Sequence, residues 1–246
     1  MAILVTGGTK GIGLAVALAF AGPDVDVFLN YHSDEASAAT AHDLVAATGA
    51  RAHLIRADVG TVDGCATIAA AVRDVTSRLD QVIHCAVDAY GSPVLSADPG
   101  RFAQAITTNG TSLLFIVQAI QDMLHRGSTV FFLTSRGGRI TVPNYAAIGA
   151  GKAMAESLVR YMATELAPKG IRINCIAPSI VETDAVRTLF GDEVGKLMDH
   201  AAHSNPSGRA VMAQDYTSLM KFLSSPEAEF ITGQVVFVNG GANLSA

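Results

Sequence analysis

The sequence predicts an α/β fold: a doubly wound parallel sheet of about seven strands with helices on both faces. Three observations carry this. Short runs rich in Val, Ile and Phe alternate with longer alanine-rich stretches along all 246 residues. The short runs are apolar throughout, as strands covered on both faces must be. Half of the residues are hydrophobic and only 16% are charged, enough apolar surface for a large core; with tryptophan absent and few aromatics, that core is aliphatic.

The first strand is expected at 2–6 (A-I-L-V-T), followed by a glycine-rich turn and a helix at 11–21. Further strands are expected at 25–30, 52–57, 81–85, 129–134, 171–176 and 234–238, where β-branched and aromatic residues cluster. Helices are expected between them at 34–47, 62–77, 99–124, 145–166 and 213–224, with the stretch 99–124 broken near Asn109. No repeat, linker or low-complexity tract divides the chain, so 1–246 reads as one domain. The segment 178–212 breaks the rhythm and is longer than an ordinary connection. Its runs V-E-T-D-A-V-R-T-L-F and K-L-M-D-H-A have the character of short amphipathic helices, which predicts a lid.

Composition also excludes. The net charge is −5 and no basic stripe is present, so nucleic acid is not an expected partner. No apolar run is long enough to span a bilayer, and no basic segment precedes the first motif; a cytoplasmic protein is expected. Cys65, Cys85 and Cys175 are odd in number and far apart, which argues against a disulfide scaffold. His200 and His203 are spaced for one helix face, but nothing completes a metal site and none is expected.

The turn after the first strand reads T-G-G-T-K-G-I-G at 6–13. Gly7 suits a tight turn, Gly11 lets the backbone approach a phosphate, and Gly13 allows helix and strand to pack closely; Ile12 lies between the last two. A helix N-terminus then faces the pyrophosphate with free N–H groups. With a strand before it and a helix after it, this is the setting of a Rossmann-type dinucleotide site.

The spacing G-x-x-x-G-x-G resembles that of the short-chain dehydrogenase/reductase family, and the resemblance runs nearly the whole chain. It includes Asp58-Val59 after the third strand, Asn109, Tyr145 with Lys152, P-S-I-V-E-T at 178–183 and I-T-G-Q-V-V-F-V-N-G-G at 231–241. The resemblance implies cofactor contacts from Asp58, Val59, Cys85, Ala86, Pro178, Val181 and Thr183. It also implies a homo-oligomer, dimer or tetramer, packed on the small-residue helix beginning near Tyr145. The end of the second strand, where an acidic residue would favour NAD, reads Asn30-Tyr31-His32-Ser33, with no carboxylate until Asp34. Lys10 offers a positive charge beside a 2′-phosphate. The cofactor expected is therefore NADP(H).

In ketoreductases of this family the tyrosine stands four positions before the lysine. Here Ile148 occupies that position, and Tyr145 stands seven before Lys152. This spacing, within P-N-Y-x-x-x-G-x-x-K-A, is similar to that of NADPH-dependent enoyl-acyl-carrier-protein reductases of fatty-acid synthesis; T-D-A-V at 183–186 and N-P-S-G-R at 205–209 resemble their lid. A physical reason accompanies the resemblance. Reducing a C=C bond conjugated to a thioester puts hydride on Cβ while charge gathers on an oxygen two carbons further along. Three helical residues give about 4.5 Å of rise, nearly a full turn on one side, so a displaced tyrosine can stay in the pocket and reach the farther oxygen.

The resemblance implies that Tyr145 stabilises the enolate, while Lys152 holds the nicotinamide ribose and keeps the tyrosine's pKa down. Ser135 stands where the family binds substrate, and Asn109 matches its helix-breaking asparagine; each is equally an ordinary cap or helix break. His84-Cys85-Ala86-Val87 replaces the family's usual N-N-A-G, and a histidine ending a strand is more often structural than catalytic. The substrate expected is a trans-2-enoyl thioester carried by coenzyme A or an acyl carrier protein. Arg136, Arg139, Arg187, Lys196 and Arg209 are candidates for meeting an acidic carrier. The alternatives are a ketoreductase or alcohol dehydrogenase acting through Tyr145, and a non-catalytic dinucleotide sensor.

Overall fold

A computed structural model describes residues 1–242. Seven strands form one sheet in the order β3-β2-β1-β4-β5-β6-β7, every pair parallel. The strands are β1 (Ala2–Thr6), β2 (Asp26–Tyr31), β3 (Arg51–Arg56), β4 (Leu79–His84), β5 (Leu124–Leu133), β6 (Arg172–Pro178) and β7 (Val235–Val238). The order reverses between β1 and β4, and the crevice at the carboxyl ends of such a pair is where an open α/β sheet binds ligands.

The pleat of β1 sends alternate residues to two cores. Ile3 and Val5 join Val16, Ala17 and Phe20 of α1 (Gly11–Phe20), Ala41 and Val45 of α2 (Glu35–Ala46), and Tyr216, Met220 and Leu223 of α9 (Ala213–Ser224). Leu4 faces the other way, with Ile68 and Val72 of α3 (Val62–Arg73), Ile116 and Ile120 of α5 (Ser112–Ile120), and Ala155 and Val159 of α6 (Ala146–Leu166). Apolar-throughout strands are the direct consequence of helices covering both faces.

The stretch expected to break near Asn109 does so. Helix α4 (Pro99–Ile106) is capped by Asp98, whose carboxylate accepts from Arg101 N at 2.7 Å, and it runs into a π-helical turn over Thr107–Thr111 before α5 begins. Two expectations were short or long. β5 begins at Leu124 rather than 129, because Leu124 pairs with Leu79 across an irregularity in register that a polar H-R-G-S stretch does not advertise. α3 ends at Arg73 rather than 77, where Arg73 forms an ion pair with Asp122 at 2.7 Å. The segment expected as a lid does contain two short helices, α7 (Asp184–Phe190) and α8 (Val194–Ser204), although its first residue, Pro178, still belongs to β6.

Candidate active site

A cleft of about 620 Å³ opens at the carboxyl ends of β1 and β4. Gly7, Lys10, Gly11, Ile12 and Gly13 form its floor, and Asn30, Tyr31, His32 and Ser33 line the side where β2 ends. Asp58, Val59, Cys85, Ala86 and Thr183 line it as well, whereas the expected Lys152, Pro178 and Val181 do not. The glycines are there for shape. Gly7 has φ +61°, and a Cβ on it would lie 2.9 Å from the backbone of Ala86; a Cβ on Gly13 would collide with the carbonyl of Gly7. A Cβ on Gly11 would strike Thr183 at 2.9 Å, so the segment after β6 lies against the glycine loop. With the N-terminus of α1 opening into this cradle, the residues present fit a dinucleotide.

Several lining residues were missed. Arg101, Gln104 and Thr108 reach the cleft at helical spacing from α4 and the turn after it, and Asp184 and Thr188 reach it from α7. The i, i+3, i+7 pattern of the first three was visible, but nothing in the sequence says which face of α4 meets the cleft.

Where β2 ends, the Lys10 charge expected to meet a 2′-phosphate is already paired. Lys10 Nζ lies 2.9 Å from Asp34 and 3.3 Å from Asp184. The hydrogen bond to Asp34 raises the lysine's pKa, and the same bond holds the Asp34 carboxyl well below its usual range. Asp34 also caps α2, accepting from Ser37 N at 3.0 Å, which fixes it at the cleft rim.

Tyr145 and Ser135 are brought together. Tyr145 is the residue before the first turn of α6, and its ring stands against Gly137 and Gly149, where any added Cβ would meet it. Burial raises the phenol's pKa, and the neighbouring Ser135 hydroxyl partly offsets this. Ser135 also caps the short turn Arg136–Gly138. Ile148 is fully buried and offers no proton.

Lys152 departs from expectation. It is buried, donates to the carbonyl oxygen of Leu133 at 2.7 Å, and lies 4.5 Å from the centre of the Phe132 ring. Burial pulls its pKa down to about 8. It does not line the cleft, and it is not among the groups that shift Tyr145; Ser135 performs that part instead.

Asn109 lies in the π-helical turn and clamps the backbone of Asp88, donating to its carbonyl at 2.9 Å and accepting from its N–H at 3.2 Å. It therefore shapes the cleft wall, to which Asp88 belongs. His84 is structural, as its place at a strand end suggested. Ser112 Oγ donates to Thr108 O, so it must accept from His84 Nε2–H at 2.8 Å, and Nδ1 then accepts from Thr6 at 2.6 Å.

A second cavity, about 70 Å³, lies between the ends of β6 and β7 and helix α8. Pro178 lines it, whereas Val181 packs against the core on the α1 face. Among the described residues no cluster of three or more His, Cys, Asp or Glu is placed to hold a metal ion, and no helix is long and apolar enough to cross a membrane.

A family model described as Enoyl-(Acyl carrier protein) reductase matches residues 7–243. The chain is 28% identical over 243 residues to a 1-cyclohexenylcarbonyl-CoA reductase of Streptomyces collinus, across 99% of this chain and 87% of that protein. It is 31% identical over 242 residues to an uncharacterized oxidoreductase of Mycobacterium tuberculosis, across 97% and 90% respectively. Among solved structures, the RhlG/NADP active-site complex of Pseudomonas aeruginosa superposes with a TM-score of 0.87 at 26% identity, covering 99% of this chain and 96% of that one.

Proposed function

The chain belongs to the short-chain dehydrogenase/reductase family of oxidoreductases, and from that premise we propose that it reduces the C=C bond of a trans-2-enoyl thioester with NADPH. The observation that carries this reading is the placement of the Tyr145 phenol. The position four residues before Lys152 holds a buried isoleucine, while Tyr145 stands a helical turn earlier beside Ser135. The Streptomyces collinus relative, by its name, reduces a CoA thioester whose acyl group carries a ring double bond. That agrees with the proposed chemistry.

Bound NADPH would supply the hydride that reaches Cβ. The work of this chain is to receive the charge that gathers on the thioester oxygen. Tyr145 donates a hydrogen bond there, with the Ser135 hydroxyl beside the phenol; one such donor is worth about 3 kcal/mol in the transition state. Lys152, on moving from the Leu133 carbonyl, would hold the ribose hydroxyls. The 2′-phosphate is assigned to the rim formed by Lys10, Tyr31, His32 and Ser33, where β2 ends without a carboxylate. Asp34, at the same rim, favours NADH as the second cofactor to be tried.

Retention of Ser135 beside the tyrosine favours ketoreduction as the second reading of the chemistry. Following NADPH loss with crotonyl thioester and then with acetoacetyl thioester separates the two. Oxidation with the enoyl compound is expected; oxidation with the β-keto compound alone would reject C=C reduction.

A further inference from the structure

The five cations that the sequence offered for meeting an acidic partner are not equivalent. Arg139 pairs with Glu156 at 2.9 Å, Arg187 with Glu182 at 2.8 Å, Lys196 with Glu193 at 3.1 Å and Arg209 with Asp215 at 2.7 Å. Four are thus neutralised where they stand. Arg136 alone of the five has no carboxylate partner among the described residues.

Arg136 follows Ser135 directly and lines the cavity of about 70 Å³ beneath α8. The lid helix turns one face to this space: Leu197, His200, Ala201 and Ser204 follow at i, i+3, i+4 and i+7. The lining includes an arginine and a histidine, hydroxyls on Ser179 and Ser204, the Asn239 amide, which is already bonded to Gly241 and Ala242, and no carboxylate. Ile180, Leu197 and Phe237 supply apolar wall. Arg136, His200 and Ser204 are exposed and stand at the mouth of this recess; a guanidinium there with no carboxylate partner suits an oxyanion, and its planar fork matches the two oxygens of a carboxylate or phosphate.

We propose that this recess binds an anionic group of the substrate and that Arg136, assisted by His200, selects for it. The inference rests on the acyl-thioester reading, because Pro178 and the Ser135 loop place the recess beside the proposed reacting centre. The oxyanion comes either from the far end of the acyl chain, as a carboxylate, or from the carrier arm, as a phosphate. The shared chemistry is what Arg136 recognises.

The test compares three enoyl thioesters with the NADPH-saturated enzyme: crotonyl-N-acetylcysteamine, which has no anion; its analogue ending in a carboxylate; and crotonyl-CoA, whose anions are on the carrier. For Arg136→Gln, the ratio of kcat/KM on the preferred anionic thioester to that on the neutral one is expected to fall at least tenfold, chiefly through KM, with Arg136→Lys intermediate. Which anionic compound loses the advantage identifies the source. A ratio that stays the same in Arg136→Gln for both anionic compounds would overturn the proposal. If the enzyme oxidised NADPH with none of the three, C=C reduction itself would have failed. The recess is then judged by calorimetric titration of glutarate and of CoA into the NADP-saturated protein. Binding of either that weakens at least tenfold in Arg136→Gln upholds the anion site, and equal or absent binding overturns it.

Discussion

Lys10 and Asp34 form an ion pair of 2.9 Å across the mouth of the dinucleotide cleft. A 2′-phosphate arriving there would share its lysine with a carboxylate, while the ribose hydroxyls of NADH would find that carboxylate ready to accept. Asp34→Asn is therefore expected to raise the NADPH-to-NADH ratio of kcat/KM by about threefold, a modest effect because the pair is solvated. The asparagine can still cap α2, so folding should be little affected. Lys10→Ala should shift the ratio about tenfold the other way. Steady-state kinetics with both cofactors checks each. A ratio indifferent to Asp34 would show that the carboxylate does not bear on cofactor choice.

Tyr145→Phe removes one hydroxyl at the proposed site of charge. The expectation is a fall in kcat of roughly a hundredfold with KM little altered. Restoring a tyrosine at the ketoreductase position does not compensate. Ile148 is fully buried, and a phenol inserted there should cost about 1–3 kcal/mol, lowering the melting temperature by roughly 2–4 °C per kcal/mol. The double variant Tyr145→Phe/Ile148→Tyr should reduce acetoacetyl thioester no better than Tyr145→Phe. A gain of ketoreductase turnover would show that the spacing does not select the reaction.

The sheet was legible because both of its faces are covered, so the strands stand out as apolar runs and the glycine loop marks where the first of them ends. The break at Asn109 was legible as well, though not its form as a π-helical turn clamping Asp88. What the sequence concealed were relations between distant segments. Nothing local to Lys10 announces Asp34 and Asp184 as its partners, 24 and 174 positions away. Lys152 was singled out as a cofactor residue, but its attachment to Leu133 depends on how α6 lies across β5. The lid was read as two amphipathic helices, yet the face that α8 turns inward emerges only when Phe237 and Pro178 stand opposite it.

The buried ammonium of Lys152 makes a pH-dependent claim. Its pKa is drawn down to about 8 from the ordinary 10.5, first by burial, with Cys85, Cys175 and Glu156 opposing. Between those values the unfolded chain keeps a proton that the folded one has released, so stability should rise with pH from about 8 to 10.5. At pH 7 the folded state carries the cost of the buried charge, on the order of 3 kcal/mol. Lys152→Met, close in length and apolar, is expected to melt several degrees higher at pH 7 while losing most turnover. Thermal unfolding by circular dichroism decides this. A lower melting temperature would mean that the bond to Leu133 and the contact with Phe132 outweigh the burial.

His84 acts with the same sign on the acid side. It is fully buried, stacked on Phe132 with ring centres 5.7 Å apart, and its two nitrogens are committed to Thr6 and Ser112 in the neutral form. Burial first, and then the charge of Lys152, lower its pKa to about 3 from 6.5. Below pH 6.5 the unfolded chain takes up a proton that the folded one refuses, so the stability His84 contributes is complete above 6.5 and declines as pH falls toward 3. At about 1.4 kcal/mol per pH unit, unfolding at pH 5 should be about 2 kcal/mol easier than at pH 7.5 on this account alone. His84→Asn retains a donor and an acceptor but cannot titrate there. It should be less stable at neutral pH by about 1–3 kcal/mol, because the shorter side chain cannot satisfy both hydroxyls. Its loss between pH 7.5 and pH 5 should nevertheless be smaller than that of the unaltered protein by the same 2 kcal/mol or so. Urea unfolding of both proteins at the two pH values measures the difference directly. Equal losses would mean that His84 accepts a proton in the folded state, and the neutral chain from Thr6 to Thr108 would have to be redrawn.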